Sequence, residues 1–375
     1  MNGDNEKLYQ ERLDLIKKAI HVEPVDRIPV IYMGDAFSPR YMGMKLSQYV
    51  SDPEAPVDVT VAAMDRIGGF DGINLAGVGR RSAGFGLGRM KMPGRELPED
   101  SVWQVEEIEI MKPEDYDTII EKGYPVFLSE ALPRAIKDME AFQANMAWMV
   151  ANAGRKLQDY RNHGYVIISG FGMGVPLELF AGARSTPQFF YDLYRRPDKV
   201  KAAMDATMPT LIQMTIMITK MSPVLGSWIG GFRGAPPFLS PKLWDKFFFP
   251  YLLQMVEALV ENDIVPILHF DQCWDRELSR LRELPAKKCV LNPDGMTDLR
   301  KFKEVVGDHM SIMGDVPSTL FAIGTPEEIR NYVRDLVRDI GPQGLLLAPG
   351  CDAPVNTKPE NMKAFVAAAH EFGKV

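Results

Sequence analysis

IVPILHFDQC, residues 264–273, is an unbroken apolar and β-branched run that ends abruptly in polar residues. Such a run reads as a strand covered on both faces, because a half-exposed strand would alternate apolar with polar. The pattern recurs at Ile28 to Met33, Asp71 to Ala76, Tyr165 to Ser169, Val224 to Ile229, Lys288 to Asn292, Ser311 to Gly314 and Gly344 to Ala348. Amphipathic helical segments lie between these runs. Thr325 and Pro326 open one of them, with Thr as cap and Pro at the first helical position, and Ser240-Pro241 opens another that runs toward Asn262. Eight buried strands alternating with helices predict an α/β protein, a closed (β/α)8 TIM barrel, with an open doubly wound sheet as the alternative.

The second half of the chain is regular and the first is not. A polar helical stretch precedes the first strand. Gly77 to Ser129 and a helical run from Ala131 to His163 separate the second and third strands. These read as an N-terminal extension and as insertions into the barrel, with Gly79 to Gly94 as a mobile loop. No linker composition interrupts the chain, so residues 1–375 are expected to form a single barrel domain.

The composition narrows the function. The 375 residues are 46% hydrophobic and 25% charged, which excludes disorder and low-complexity architectures. Forty-three Lys and Arg against 50 Asp and Glu, with no basic tract, argue against nucleic acid and anionic membranes as partners. No apolar run reaches the ~20 residues of a membrane span, and the N-terminus lacks a secretory core, so a soluble cytoplasmic protein is expected. The 22 methionines read mainly as pliable core filler. Gly84 to Gly88 and Gly170 to Gly174 are glycine-rich but lack the order of a dinucleotide site, and read as tight loops. There is no phosphate loop and no Gly-x-Ser-x-Gly elbow.

In a (β/α)8 barrel the chemistry sits where the strands end, at their C-terminal edge. Those ends carry Asp35, Phe171, Phe232 and Arg233, His269 with Asp271, Asp294, Asp315, and Cys351. His269 and Asp271 are two residues apart on one strand and so point the same way. Cys351 follows the last strand and can close the site from across the barrel. One nitrogen, one oxygen and one sulfur donor with an open position describe a catalytic zinc site. The same residues also fit a hydrogen-bonded core histidine, a solvated aspartate and an inert cysteine. Asp294 is a further oxygen donor or a helix cap. Cys273 competes with Asp271 but lies past the strand, Cys289 is core, and His21, His163, His309 and His370 read as surface residues.

Several stretches resemble the uroporphyrinogen decarboxylase superfamily, and within it the zinc-dependent corrinoid methyltransferases. They are VDRIPV (25–30), GFDGINL (69–75), ARSTPQFFYDLYRRPDKV (183–200), FLSPKLWDKFFFPYL (238–252), HFDQC (269–273), MGDVPSTLFAIGTPEEIRNYV (313–333) and LLLAPGCDAPVNTKPENMKAF (345–365). The resemblance implies a (β/α)8 barrel and a zinc held by His269, Asp271 and Cys351, with Asp294 as a possible fourth ligand. Two departures refine it. The arginine-rich segment with which the decarboxylases grip porphyrin carboxylates is missing after the first strand, where no Arg precedes Arg40. The thiol methyltransferases carry His-x-Cys and a distant Cys, whereas here Asp271 stands in the middle position. A carboxylate in place of a thiolate makes the metal harder and suits an oxygen ligand. The resemblance therefore implies an O-demethylase methyltransferase. It would take the methyl group from a small methoxylated, aromatic substrate to the cobalamin of a separate corrinoid protein, with thiol methylation and porphyrinogen decarboxylation as alternatives. Asp35, Arg233 and Asp315 are expected to hold polar groups of the substrate, and Phe171 and Phe232 to line an apolar pocket.

Overall fold

The eight apolar segments form eight parallel strands: β1 Ile31–Tyr32, β2 Gly72–Ile73, β3 in two pieces Val166–Ile167 and Ser169–Gly174, β4 Gly226–Gly231, β5 Val265–Phe270, β6 Val290–Pro293, β7 Ser311–Met313 and β8 Leu345–Leu346. The computed structural model describes residues 3–81 and 88–375, and of Phe171 the backbone alone. Each strand pairs with its sequence neighbour, as in the registers Ile31 to Gly72, Gly72 to Val166, Gly230 to His269, His269 to Asn292 and Ile312 to Leu345. The ring is closed by a parallel bridge from Val30 to Leu347. There Ile31 N–H donates to Leu347 O (2.8 Å) and Leu347 N–H to Pro29 O (2.9 Å). Closure eliminates the open doubly wound alternative.

Side chains at every second strand position point inward. Ile31 and Met33, Val166 and Ile168, Ile267, Val290, Met313, and Leu346 with Ala348 fill the barrel. Ile16, Ala19 and Ile20 from the N-terminal helix α1 (Gly3–Ile20) pack into the same cluster and close its lower end. His269 is the next inward position above Ile267, so the packed interior ends where the polar groups begin. A larger apolar cluster lies between the strands and the surrounding helices. No helix among the described residues is long and apolar enough to cross a membrane.

Four local expectations change. Gly170 to Gly174 is strand, not a tight loop, and its pairing with β4 is irregular between Ser169 and Gly172. A Cβ on Gly172 would sit 2.8 Å from the Trp228 ring, so the glycine there admits the indole rather than making a turn. The helix expected from Ser240 to Asn262 is two helices, Pro241–Phe247 and Phe249–Glu261, broken at Phe248, because Pro250 has no N–H to give to the carbonyl four residues back and its ring crowds that carbonyl. The run from Ala131 to His163 breaks at residues 136–138, where Asp138 caps the helix Met139–Asn162 through Ala141 N–H. Within the segment expected as a mobile loop, Arg89–Lys91 pairs antiparallel with Gln104–Glu106, while residues 82–87, with most of the Gly84 to Gly88 motif, lie outside the described residues. Thr325 caps its helix as the sequence suggests, in a reciprocal box with Glu328.

One buried carboxylate ties the barrel's lower edge together. Asp71, 2% exposed, takes two hydrogen bonds from Arg27 (2.7 and 2.6 Å) and one from Val30 N–H (2.9 Å). Removing it leaves Arg27 without its partner and a buried amide unsatisfied. Asp71→Ala should lower the unfolding free energy by about 2–4 kcal/mol, discounted from the fully buried case because Arg27 is partly exposed. Chemical denaturation checks this, and a loss below about 1 kcal/mol would show the network to be dispensable.

Candidate metal centre

Strand β5 delivers His269 and Asp271 to the barrel mouth on one face. The His269 ring is buried and stacks on Trp228 at 5.1 Å, with 26° between the planes. Its Nδ1 lies 2.9 Å from Asn292 Oδ1. Asn292 is itself oriented, because its amide N–H donates to Met313 O at 2.7 Å, which leaves Oδ1 facing the imidazole. An amide oxygen can only accept, so Nδ1 carries the proton and Nε2 is the free donor atom. That nitrogen lies 3.4 Å from Asp271 Oδ1.

Cys351 arrives from β8. Val316 and Pro349 form a parallel bridge, and Gly350 passes so close to β6 that a Cβ there would stand 3.1 Å from the Asp294 carbonyl. The glycine permits that approach and carries Cys351 over the end of the neighbouring strands. Donor atoms of His269, Asp271 and Cys351 all fall within 4.8 Å of one another, the one such group of three among the described residues. Two donors each about 2.1 Å from a tetrahedral zinc lie about 3.4 Å apart, which is the His269 to Asp271 separation. The donor types and the spacing fit zinc with one open position.

The electrostatics also favour a cation. Burial alone would push the His269 imidazole down. Hydrogen bonds that the imidazolium donates to Asp271 and Cys351, with their charges, instead raise it from 6.5 to about 10. Without a metal the cluster holds a proton in its place.

A cavity of about 220 Å³ opens beside these ligands, lined by His269, Cys351, Trp228, Met33, Asp35, Tyr49, Thr60, Arg81, Trp103, Tyr160 and Asp352 among others. Of the residues expected to hold substrate, Asp35 is in this wall. Its carboxylate accepts from Tyr49 Oη (2.5 Å) and pairs with Arg81. Arg81 lies over the Trp103 ring at 4.0 Å. Asp352 lies half-buried beneath, accepting from Asp35 N–H (2.8 Å) and Ala36 N–H (3.4 Å). Burial and the neighbouring Asp35 charge push its carboxyl up to about 7.

Other expected site residues are elsewhere. Asp294 is committed to the loops: Oδ2 accepts from Gln272 N–H (2.9 Å) and Oδ1 from Met296 N–H (3.0 Å). Gln272 has φ of 70°, a strained value for a non-glycine residue that this hydrogen bond helps to hold. Asp315 turns away into a separate 340 Å³ cavity by Tyr332 and Arg300; Tyr332 Oη donates to it (2.8 Å), and burial raises it to about 7. Arg233 donates to Thr186 Oγ1 (2.9 Å), outside the cavity. Phe232 is 43% exposed on the outer rim, and its loop is held by buried Glu178, which accepts three backbone N–H groups. The side chain of Phe171 lies outside the described residues. Cys273 does not join the cluster, and Cys289 is buried with its thiol pushed up to about 12 by desolvation.

Arg81, Asp352, Tyr49, Trp228, Tyr160 and Asn292 were not singled out from the sequence. Asn292 and Asp352 each sit beside a residue that was examined, at the end of a strand or next to a ligand. Arg81 and Tyr160 come from the insertion between β2 and β3, whose path the strand pattern does not specify.

The uroporphyrinogen decarboxylase (URO-D) family model matches residues 117–372, so the chain belongs to that family. It is 26% identical to uroporphyrinogen decarboxylase from Thermoplasma acidophilum, over 96% of this chain and 99% of that one. The human uroporphyrinogen decarboxylase is 25% identical over 49% of this chain and 50% of its own. Among solved structures, a methyltransferase from Methanosarcina mazei shares the fold at a TM-score of 0.72 and 19% identity, covering 97% of this chain and 98% of that one.

Two outcomes follow for metal binding. Because the metal-free imidazole keeps its proton up to about pH 10, a cation must displace that proton below this pH. Zinc affinity, measured by competition with a chelator, should rise with pH by up to tenfold per unit through His269 alone and level off near pH 10; a pH-independent affinity below that contradicts this. Asn292→Ala should weaken zinc binding by about 10–100-fold by releasing the imidazole orientation, without unfolding the protein.

Proposed function

We propose that this member of the uroporphyrinogen decarboxylase family demethylates a methoxylated aromatic compound. It passes the methyl group to the reduced cobalt of a separate corrinoid protein, using a zinc held by His269, Asp271 and Cys351. The observation that carries this reading is an N, O and S donor set opening onto a small, aromatic-walled cavity. A methyltransferase shares the fold. When bound, zinc supplies Lewis acidity, lowering the cost of negative charge developing on an ether oxygen as its methyl group leaves.

The chain's own residues supply position and environment. Asn292 holds the His269 tautomer. Trp228 covers one face of the imidazole and Trp103 stacks with Tyr49, so a flat ring meets flat walls. Asp271 in place of a second thiolate favours an oxygen ligand over a thiol. In the transfer the carbon–oxygen bond breaks with its electron pair left on oxygen. The methyl carbon takes the electron pair of the reduced cobalt, and the phenolate is protonated from solvent.

The decarboxylase relatives favour a second reading, porphyrinogen decarboxylation. A tetrapyrrole with many carboxylates needs a large cavity and several cations. This cavity is about 220 Å³, and Arg81, the one Lys or Arg among its described lining residues, is paired with Asp35.

The zinc-loaded protein mixed with cob(I)alamin and a methoxyphenol should convert the cobalt(I) absorbance to that of methyl-cobalt(III), and Cys351→Ala should not. Methyl transfer to coenzyme M from methylcobalamin would select the thiol reading. Carbon dioxide release from uroporphyrinogen would select the decarboxylase reading.

A further inference from the structure

The floor of the cavity beside the metal centre carries an amide whose donors are underused. A Cβ on Gly72 would stand 3.2 Å from Ile16 Cδ1, so that position of β2 faces the packed lower interior of the barrel. Asn74, two residues on, points inward as well, one level higher. Its N–H continues the ladder to Tyr32 O (3.1 Å), which sets it beside Met33 of the interior cluster. Asn74 and Met33 both line the cavity, together with His269 and Cys351. β2 lies three strands round the ring from β5, so Asn74 looks toward the donor cluster from the far side of the mouth.

The amide has a fixed orientation. Ser169 Oγ donates to Asn74 Oδ1 (2.7 Å) and accepts from Leu75 N–H (3.1 Å), so the carbonyl end faces Ser169. Nδ2 meets the Met33 thioether at 3.9 Å. Turning the amide over would set its oxygen against that sulfur, two acceptors face to face. Nδ2 carries two hydrogens, and a thioether is a weak acceptor for one of them. Among the described residues no oxygen or nitrogen accepts from either. Asn74 is 2% exposed, and a buried amide left in this state forfeits much of its hydration without return. Met33 is unbranched and turns aside readily, so a ligand oxygen in the cavity can take the sulfur's place.

The cavity, about 220 Å³, exceeds the ~150 Å³ that holds a benzene molecule in an engineered apolar cavity. One ring with two small substituents fills it.

We propose that Asn74 is a specificity-determining residue, whose Nδ2 donates to a second oxygen of the substrate on the side of the ring away from the metal. The substrate is then a methoxyarene with two ring oxygens, one ether on the metal and one acceptor on Asn74. This assignment rests on the demethylase reading, in which an ether oxygen faces the metal. Asn74 positions the ring and takes no part in the bond changes. A ring carboxylate offers acceptors to Asn74 and to the metal alike, so the residue selects for an acceptor and not by charge.

The test is calorimetric binding to the zinc-loaded full chain, without a corrinoid. The probes are the three dimethoxybenzene isomers and the three ethylmethoxybenzenes, in which an ethyl group of similar size replaces the second ether. At least one dimethoxybenzene should bind about tenfold tighter than its ethyl counterpart, the gain of one buried hydrogen bond. Two equivalent ethers alone would give a factor of about two. Asn74→Leu should reduce the preference to that factor, and Ser169→Ala, which frees the amide to turn, should reduce it in part. A preference no greater than that factor in every pair, binding of none of the probes, or an undiminished preference in Asn74→Leu overturns the proposal. If Asn74→Leu does not fold, the preference in the unaltered protein and its decline in Ser169→Ala decide. The expected preference without methyl transfer to cob(I)alamin would refute the demethylase reading alone. Methyl transfer without the preference would refute the role of Asn74 alone.

Discussion

Two backbone hydrogen bonds across the seam between β1 and β8, Ile31 N–H to Leu347 O and Leu347 N–H to Pro29 O, turn the sheet into a ring. Everything at the mouth depends on that seam. Residues 35 and 352 are at opposite ends of the sequence, yet the Asp352 carboxylate accepts from the Asp35 amide at 2.8 Å. Cys351 reaches His269 because β8 stands inside the same ring as β5. An open sheet would place its first and last strands at different points of the molecule. The lower end of the ring is held by α1 packing and by Asp71, so the polar mouth rests on a fixed base.

On that base the site divides into two zones. One is the donor cluster, in which Asn292 orients His269 and leaves Nε2 available. The other is a wall of charges that cancel locally, Arg81 with Asp35 and Asp352 with backbone amides. The first zone attracts a cation and the second has its charges answered within the protein. The same (β/α)8 scaffold serves uroporphyrinogen decarboxylases, which the chain resembles at 26% identity. Fold membership leaves open which chemistry a mouth performs, and the residues at the strand ends have to answer that.

How much of this was legible in the sequence follows from periodicity. Strands buried on both faces leave unbroken apolar runs, so all eight could be placed, and the i, i+2 spacing put His269 and Asp271 on one face. What strand pattern cannot give is the path of insertions. Arg81 and Tyr160 reach the cavity on such segments, and the sequence offered no distance to it. Strand-end position also over-predicted. Asp294, Asp315, Arg233 and Phe232 all follow strands, but one turn of loop aims a side chain into the mouth, into a neighbouring cavity or toward solvent. Glycine was read as a turn signal at 170–174, where the indole of Trp228 is the reason for Gly172. Cancelled charges are equally invisible in a sequence: Arg81 looks like a loop cation until its pairing with Asp35 is seen.

Zinc K-edge X-ray absorption on the loaded protein reads the donor set without reference to substrate or partner. The expected spectrum has one sulfur at about 2.3 Å with nitrogen and oxygen donors at about 2.0–2.1 Å, and the sulfur contribution disappears in Cys351→Ala. A shell with no sulfur, a shell with two, or a sulfur that survives removal of Cys351 would contradict a centre built from His269, Asp271 and Cys351.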